Sequence, residues 1–126
     1  MRYVLILCGL VAAAAANGPA YATDVATFLA KVEAVKGKGV MAMFSSDLKL
    51  LMGEIGDSMT ELKEERLAAV AGGRRPIYCP NGKAELSRQE LFAAMEAVSP
   101  ARRPKVQVKE ALRAGLARKY PCREAS

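Results

Sequence analysis

The chain has 126 residues, of which 52% are apolar, and it carries 19 Lys and Arg against 13 Asp and Glu. This length and composition are typical of one globular domain, not of two domains or of a disordered or collagen-like chain. The sequence contains neither His nor Trp. Ser-His-Asp catalysis, Cys-His catalysis and every zinc site that requires His are therefore excluded.

The first residues are typical of a signal peptide. Arg2 precedes an uninterrupted apolar stretch over residues 3–16, and Ala20-Tyr21-Ala22 supplies the small-x-small pattern of a cleavage site. The stretch is shorter than the ~20 residues that cross a bilayer as a helix. We expect residues 1–22 to be a signal peptide that is cleaved after Ala22, which leaves no stable membrane insertion. An uncleaved membrane anchor is the alternative.

Apolar residues at helical spacing predict a first helix near the start of the mature domain, residues 23–126. They are Val25, Phe28, Leu29, Val32 and Val35. We expect this helix to end at Lys36, because Gly37-Lys38-Gly39 combines a helix stop with basic side chains suited to the negative end of the helix dipole. The short apolar run at residues 40–44 is predicted to form a helical turn.

A long second helix is predicted from Ser45-Ser46-Asp47, which supplies N-caps, to about Ala71. Its inner face is expected to consist of Leu48, Leu51, Met52, Ile55, Met59, Leu62 and Leu67. Gly53 and Gly56 interrupt this helix, and each costs ~1 kcal/mol relative to Ala unless close packing uses the missing side chain. We interpret the two glycines as a notch for contact with another helix, with a kink as the alternative.

Residues 72–86 are rich in Gly and Pro, and they are predicted to be irregular because these residues break regular structure. Ser87 and Glu90 then form the pattern of a capping box, which opens a third helix. Ser99-Pro100 is expected to end this helix. Its inner face is expected to consist of Leu91, Phe92, Met95 and Val98.

A fourth helix is predicted from Pro104, a residue that is tolerated in a first helical turn, to a stop at Pro121. Its apolar face consists of Val108, Ala111, Leu112, Gly115 and Leu116. No run of residues alternates between apolar and polar for long enough to predict a strand. The expected fold is therefore all-α, a small single-domain bundle of about four main helices.

Two cysteines remain after the signal peptide, Cys79 and Cys122. In an exported chain such a pair predicts a disulfide, and the loop-entropy model assigns this link roughly 4 kcal/mol of stability. The alternative, a nucleophilic thiol, lacks an adjacent base or metal in the sequence. Tyr78 directly precedes Cys79, and Tyr120 precedes Pro121-Cys122, so we expect both rings to pack around the bridge.

Carboxylates cluster on the second helix, but the pattern favours a solvated face over a catalytic or metal site. The members of the cluster are Asp57, Glu61, Glu64 and Glu65. Lys63 and Arg66 lie between them and are expected to form helix-surface ion pairs with them, each worth ~0.2 to 0.5 kcal/mol. The sequence also lacks the loop of alternating oxygen ligands that binds calcium. We therefore predict that the protein is not an enzyme and needs no cofactor or metal.

Positive charge is concentrated in the second half of the chain. Residues 23–73 have a net charge of −2, whereas residues 74–126 have a net charge of +7. Export argues against nucleic acid as the partner, so the pattern favours anionic lipid, a cell-wall polymer or an acidic protein surface, with a merely solvated surface as the alternative. The candidate binding residues lie in the irregular region and before the fourth helix. They are Arg74, Arg75, Tyr78, Asn81, Gly82, Lys83, Arg102, Arg103 and Lys105.

The C-terminal half combines four features in a fixed order. They are Ile77-Tyr78-Cys79-Pro80, a helix over residues 86–98 that contains Gln89, the turn at Ser99-Pro100, and an Ala-Leu helix that ends in Tyr120-Pro121-Cys122. In this combination the chain resembles the Rap/Tai immunity proteins of type VI secretion over about residues 77–122. The first half differs from the family pattern, because many relatives carry a second cysteine pair and residues 51–57 contain no cysteine.

The resemblance implies a periplasmic, all-helical, disulfide-bonded protein that protects its producer from a peptidoglycan-cleaving amidase effector. Members of the family act as inhibitors, often as homodimers, and a surface loop occludes the catalytic cleft of the effector. We therefore expect the loop at residues 72–83 to be the main contact, with Arg102, Arg103 and Lys105 as a flanking patch. The alternative function is a general envelope structural or stress protein that binds anionic surfaces without a dedicated effector.

Overall fold

The computed structural model describes residues 23–123, and the predicted signal peptide lies outside them. The described part contains four α-helices and two short 3-10 helices. The α-helices are α1 (Val25–Lys36), α2 (Ser46–Ala71), α3 (Arg88–Glu96) and α4 (Val108–Lys119), and the 3-10 helices are Gly39–Phe44 and Arg103–Lys105. The all-α prediction is confirmed. None of the described helices is both long enough and apolar enough to span a membrane.

The helix starts follow local signals in the sequence. Asp24 caps α1 by accepting a hydrogen bond from the backbone N–H of Thr27 at 2.8 Å, and Ser45 caps α2. The predicted capping box opens α3: Ser87 Oγ accepts from the Glu90 N–H at 3.2 Å, and the Glu90 carboxylate accepts from the Ser87 N–H at 2.7 Å. These side chains satisfy donors that have no partner within the helix.

The other helices pack around α4. α1 and α3 contact α4, and α1 also packs against α2. α2 runs parallel to α4, because the pairs Glu61–Lys109 and Glu65–Arg113 advance together along both helices. The C-terminal ends of α2 and α4 therefore lie at the same end of the bundle, where the irregular region follows α2.

The core is built on the apolar face of α4, as predicted. The predicted residues of this face are all buried: Val108, Ala111, Leu112, Gly115 and Leu116. Val25 of α1, Leu62 of α2 and Met95 of α3 belong to the same cluster and are almost completely buried. Because burial of one large aliphatic side chain contributes ~1.5 to 3 kcal/mol, this cluster holds all four helices in place.

The glycine that allows two helices to approach is Gly115, in α4. A Cβ atom at Gly115 would lie 2.7 Å from the Cβ atom of Ala94 in α3. Within residues 23–123, a Cβ atom at Gly53 or Gly56 would have no atom of another element within 4 Å, and α2 continues through both positions. The predicted contact notch in α2 is therefore wrong, because these two glycines face open space.

The predicted start of α4 is also wrong. Pro104 lies in the separate 3-10 helix Arg103–Lys105, and α4 begins at Val108 after the N-cap residue Gln107. The chain turns between Lys105 and Gln107, so the proline precedes α4 and does not form its first turn.

The inner face of α2 is less complete than predicted. Leu51 and Leu62 are buried, but Met52 and Leu67 are 65% and 49% exposed. α2 has 26 residues and is about 39 Å long, whereas α1 and α4 have 12 residues and are about 18 Å long. The shorter helices therefore cannot cover the full length of α2.

Candidate partner-binding surface

A disulfide joins Cys79 to Cys122, as predicted, and brings residues 72–83 to the C-terminal end of α4. The two Cα atoms lie 4.9 Å apart. Beside the bridge, the Cys79 N–H donates to the Tyr120 carbonyl at 2.8 Å, and the Arg75 guanidinium donates to the Cys122 carbonyl at 2.9 Å. We call residues 72–83 the tethered loop, because these bonds fix an otherwise irregular segment to the bundle.

Both tyrosines pack into the fold beside the bridge. Tyr78 is 3% exposed and belongs to the core, and Tyr120 packs against the core. The Tyr120 hydroxyl donates to the Glu85 carbonyl at 3.1 Å, and its oxygen accepts from the Glu85 N–H at 3.1 Å. Tyr78 was predicted to contact a partner, but its side chain is buried. It packs beneath the tethered loop and supports it, and it does not lie on the surface.

The other candidates in the tethered loop are exposed: Arg74, Arg75, Asn81, Gly82 and Lys83. The Arg74 side chain forms no hydrogen bond or ion pair within the described part of the chain. Lys83 pairs with Glu85 at 3.1 Å but stays 85% exposed. Gly73 and Gly82 have φ angles of 70° and 117°, which other residues rarely adopt. The loop therefore bends near both ends and presents cations to solvent.

A cleft of about 350 Å³ opens between α2, the tethered loop and α4. Its charged lining consists of Arg66, Arg74, Arg75 and Arg113, with Glu65 as the carboxylate among them. We call it the arginine cleft. Guanidinium groups bind carboxylates through paired hydrogen bonds, so this lining suits an anionic group.

A second cleft, of about 440 Å³, shares Arg66 and Tyr78 with the arginine cleft. Its charged lining consists of Lys63, Arg66 and Lys83, and no carboxylate is among the described residues that line it. We call it the lysine cleft. The tethered loop thus contributes cations to two neighbouring clefts, and α2 contributes cations to both.

Arg66 links the two clefts, and its role is not evident from the sequence. Its guanidinium lies over the Tyr78 ring, 5.6 Å from the centroid. Its Nε atom is buried and donates to no acceptor within residues 23–123. A buried donor without an acceptor costs ~1 to 3 kcal/mol. The indication that the sequence offered was the three-residue spacing of Lys63 and Arg66, which places both side chains on one face of α2.

Glu61 and Glu65 of α2 pair with cations of α4, not with the cations of α2 as predicted. Glu61 accepts from Lys109 Nζ at 2.9 Å, and Glu65 pairs with Lys109 and with Arg113, the latter at 2.8 Å. Hydrogen bonds from Lys109 and Arg113 lower the pKa of Glu65, and hydrogen bonds to Glu61 and Glu65 raise the pKa of Lys109. These ion pairs join two helices and leave the cations of α2 available to the clefts.

The second predicted patch does not join the tethered loop. Arg102 and Lys105 are exposed before the N-terminal end of α4, whereas the disulfide lies at its C-terminal end, about 18 Å along the helix. Arg103 supports the fold, because its guanidinium donates to the carbonyls of Val98 at 2.9 Å and Glu96 at 3.1 Å, at the end of α3. The expected flanking patch is therefore a separate surface with two exposed cations.

Comparisons with known proteins assign neither a family nor a function to the chain. No protein-family model, no curated protein and no solved structure matches the chain. Over the part that the structure describes, no group of three or more Cys, Asp or Glu side chains is placed to hold a metal ion. The functional argument therefore rests on the tethered loop and its two clefts.

Proposed function

We propose that the protein is a periplasmic immunity protein that binds and blocks a type VI secreted peptidoglycan amidase, and so protects the cell that produces it. The observation that carries the proposal is the tethered loop, a cation-rich irregular segment that a disulfide and backbone hydrogen bonds hold against the bundle. The resemblance of residues 77–122 to the Rap/Tai pattern supplies the class of partner.

A loop that is ordered before binding suits an inhibitor. A flexible segment loses conformational freedom when it binds, whereas a segment already fixed by a disulfide loses less, so more of the contact energy appears as affinity. Arg74 and Lys83 are exposed on this fixed segment. When bound at the entrance of the effector's catalytic cleft, the tethered loop would block access of the substrate sterically. It would not take part in any reaction.

The clefts indicate the chemistry of the partner's surface. Most of the charged side chains that line both clefts are cations, and Arg66 lies in both with an Nε atom that lacks an acceptor in residues 23–123. Such a lining attracts Asp and Glu side chains, and complementary charge also raises the rate of encounter. We therefore propose an acidic patch around the effector's cleft, with a carboxylate seated beside Arg66 and Arg74.

The first experiment is a pull-down with the oxidised protein from the envelope fraction of its own producer, at moderate salt. The expected result is one stoichiometric cell-wall amidase, identified by mass. Recovery of nothing specific would contradict the proposal. It would favour the alternative, a general envelope protein that binds anionic surfaces through its basic half.

Two matched double variants test where the effector binds. Arg74→Ala with Lys83→Ala removes two cations from the tethered loop and leaves the Arg75 hydrogen bond to the C-terminal segment in place. Arg102→Ala with Lys105→Ala removes the same charge at the other end of α4. By calorimetry we expect the loop variant to lose at least about tenfold in affinity, or about 1.4 kcal/mol, and the control to stay within about twofold.

Salt separates a specific contact from general charge attraction. Exposed charges are largely screened beyond a Debye length of about 10 Å at 0.1 M salt. A shape-matched complex should keep most of its affinity as salt is raised, and the two variants should still differ. Equal losses in both variants that vanish with added salt would contradict the proposed contact.

A further inference from the structure

Glu54 is a buried carboxylate in the N-terminal half of α2. Its side chain belongs to a residue that is 8% exposed, and Oε1 accepts a hydrogen bond from the backbone N–H of Thr23 at 2.9 Å. None of the ion pairs formed within residues 23–123 includes Glu54. Buried carboxylates are normally paired with a positive charge, so a backbone amide is an unusual donor for this position.

Backbone hydrogen bonds hold the chain around Thr23 against the segment that leads into α4. The Val108 N–H donates to the Thr23 carbonyl at 3.0 Å, and the Val25 N–H donates to the Val106 carbonyl at 2.8 Å. These two bonds align the start of the described chain with the segment before α4, in the short bridge that also includes Asp24. The nitrogen of Thr23 is therefore fixed beside the carboxylate of Glu54.

We propose that the Ala22–Thr23 bond is the processing site and that the new α-amino group of Thr23 forms a partly buried ion pair with Glu54. A signal peptidase hydrolyses this bond with one water molecule. The leader departs with the Ala22 carboxylate, and the Thr23 nitrogen becomes an ammonium group near neutral pH. The inference rests on the export part of the proposed function and is independent of the effector.

Processing then changes the partner of Glu54 from a neutral donor to a charged one. The carboxylate is buried before and after cleavage, so its own loss of hydration is common to both forms. The Thr23 amide already donates to a charged acceptor, so what processing adds is the Coulomb attraction between an ammonium group and the carboxylate, which a partly buried site screens less than bulk water does. The processed chain is therefore more stable than the precursor, and the additional stability arises only after the leader has been removed.

The test compares two forms of the oxidised chain that begin at Thr23, one with its α-amino group and one in which that group is acetylated. Acetylation restores the neutral amide of the precursor without adding the leader. In urea unfolding we expect the amino form to have an about tenfold larger folding equilibrium constant, or about 1.4 kcal/mol. Glu54→Gln should remove this difference, whereas the matched control Glu61→Gln, on the same helix, should preserve it.

Two outcomes would overturn the ion pair: equal unfolding midpoints for the two wild-type forms, or a difference that persists in Glu54→Gln. The wild-type comparison needs no substitution, so it decides the matter even where the variant fails to fold. The mass of the protein recovered from the producer's envelope reports the processing site separately. A first residue other than Thr23 overturns that site, and an uncleaved product in the cytoplasm contradicts the proposed export itself.

Discussion

Replacement of Gly115 by Ala should destabilise the protein, although Ala is the better helix former. In isolation the change would gain ~1 kcal/mol of helix propensity. The new methyl group, however, would lie 2.7 Å from the Cβ atom of Ala94. Carbon atoms pack best at about 3.5 to 4.0 Å, so α3 and α4 would have to move apart by about 1 Å.

The size of the effect follows from these opposing contributions. Ala94 has no rotatable side chain, so the contact can be relieved only by movement of the α3 or α4 backbone. Overpacking of this kind costs ~1 to 3 kcal/mol, which leaves a net loss of ~1 kcal/mol after the gain in propensity. Gly53→Ala is the matched control, because it adds the same methyl group at a helical position where no other element of the described part lies within 4 Å. It should gain ~1 kcal/mol.

Urea unfolding of the oxidised proteins, followed by far-UV circular dichroism, measures both changes. The two variants should differ by ~2 kcal/mol, which corresponds to about 8 to 16 °C in Tm for a domain of this size. Adding Ala94→Gly to Gly115→Ala should restore part of the loss, because it removes the other methyl group. The reasoning is refuted where Gly115→Ala is as stable as Gly53→Ala.

Two further predictions concern the disulfide and the pH dependence of stability. Reduction, or replacement of Cys79 and Cys122 by Ser, should lower the free energy of unfolding by roughly 4 kcal/mol; an unchanged urea midpoint would show that the bridge does not constrain the unfolded chain. Hydrogen bonds from Lys109 and Arg113 hold the pKa of Glu65 below its ordinary value of 4.5. Their stabilisation is therefore present above pH 4.5 and is lost as the pH falls below it. The urea midpoint should decline over that range and decline less in Glu65→Gln, and equal declines would contradict this assignment.

The features that were predictable from the sequence depend on residues close together in the chain. The capping box of Ser87 and Glu90 acts within one helical turn, and the apolar face of α4 repeats at a spacing that only a helix brings together. The disulfide was predictable for a different reason. Once the predicted signal peptide is set aside, Cys79 and Cys122 have only each other as partners.

The features that were not predictable depend on which helices pack against each other in the folded chain. Gly53 and Gly115 both lie within helices, and only the packing of α3 against α4 shows that Gly115 is the close contact. Glu65 pairs with Arg113, 48 positions away, because α2 and α4 run side by side. Arg66 gains its position between two clefts only when the tethered loop folds back over α2.

The disulfide also closes part of the chain into a covalent ring. The ring runs from Cys79 to Cys122 and contains α3, α4 and the turn between them, whereas α1 and α2 lie outside it. Arg102 is exposed in that turn, and trypsin-like proteases cleave the chain after arginine residues. A cut there opens the ring, but the sulfur–sulfur bond still joins its two pieces. One backbone cut at this turn therefore releases neither helix from the molecule.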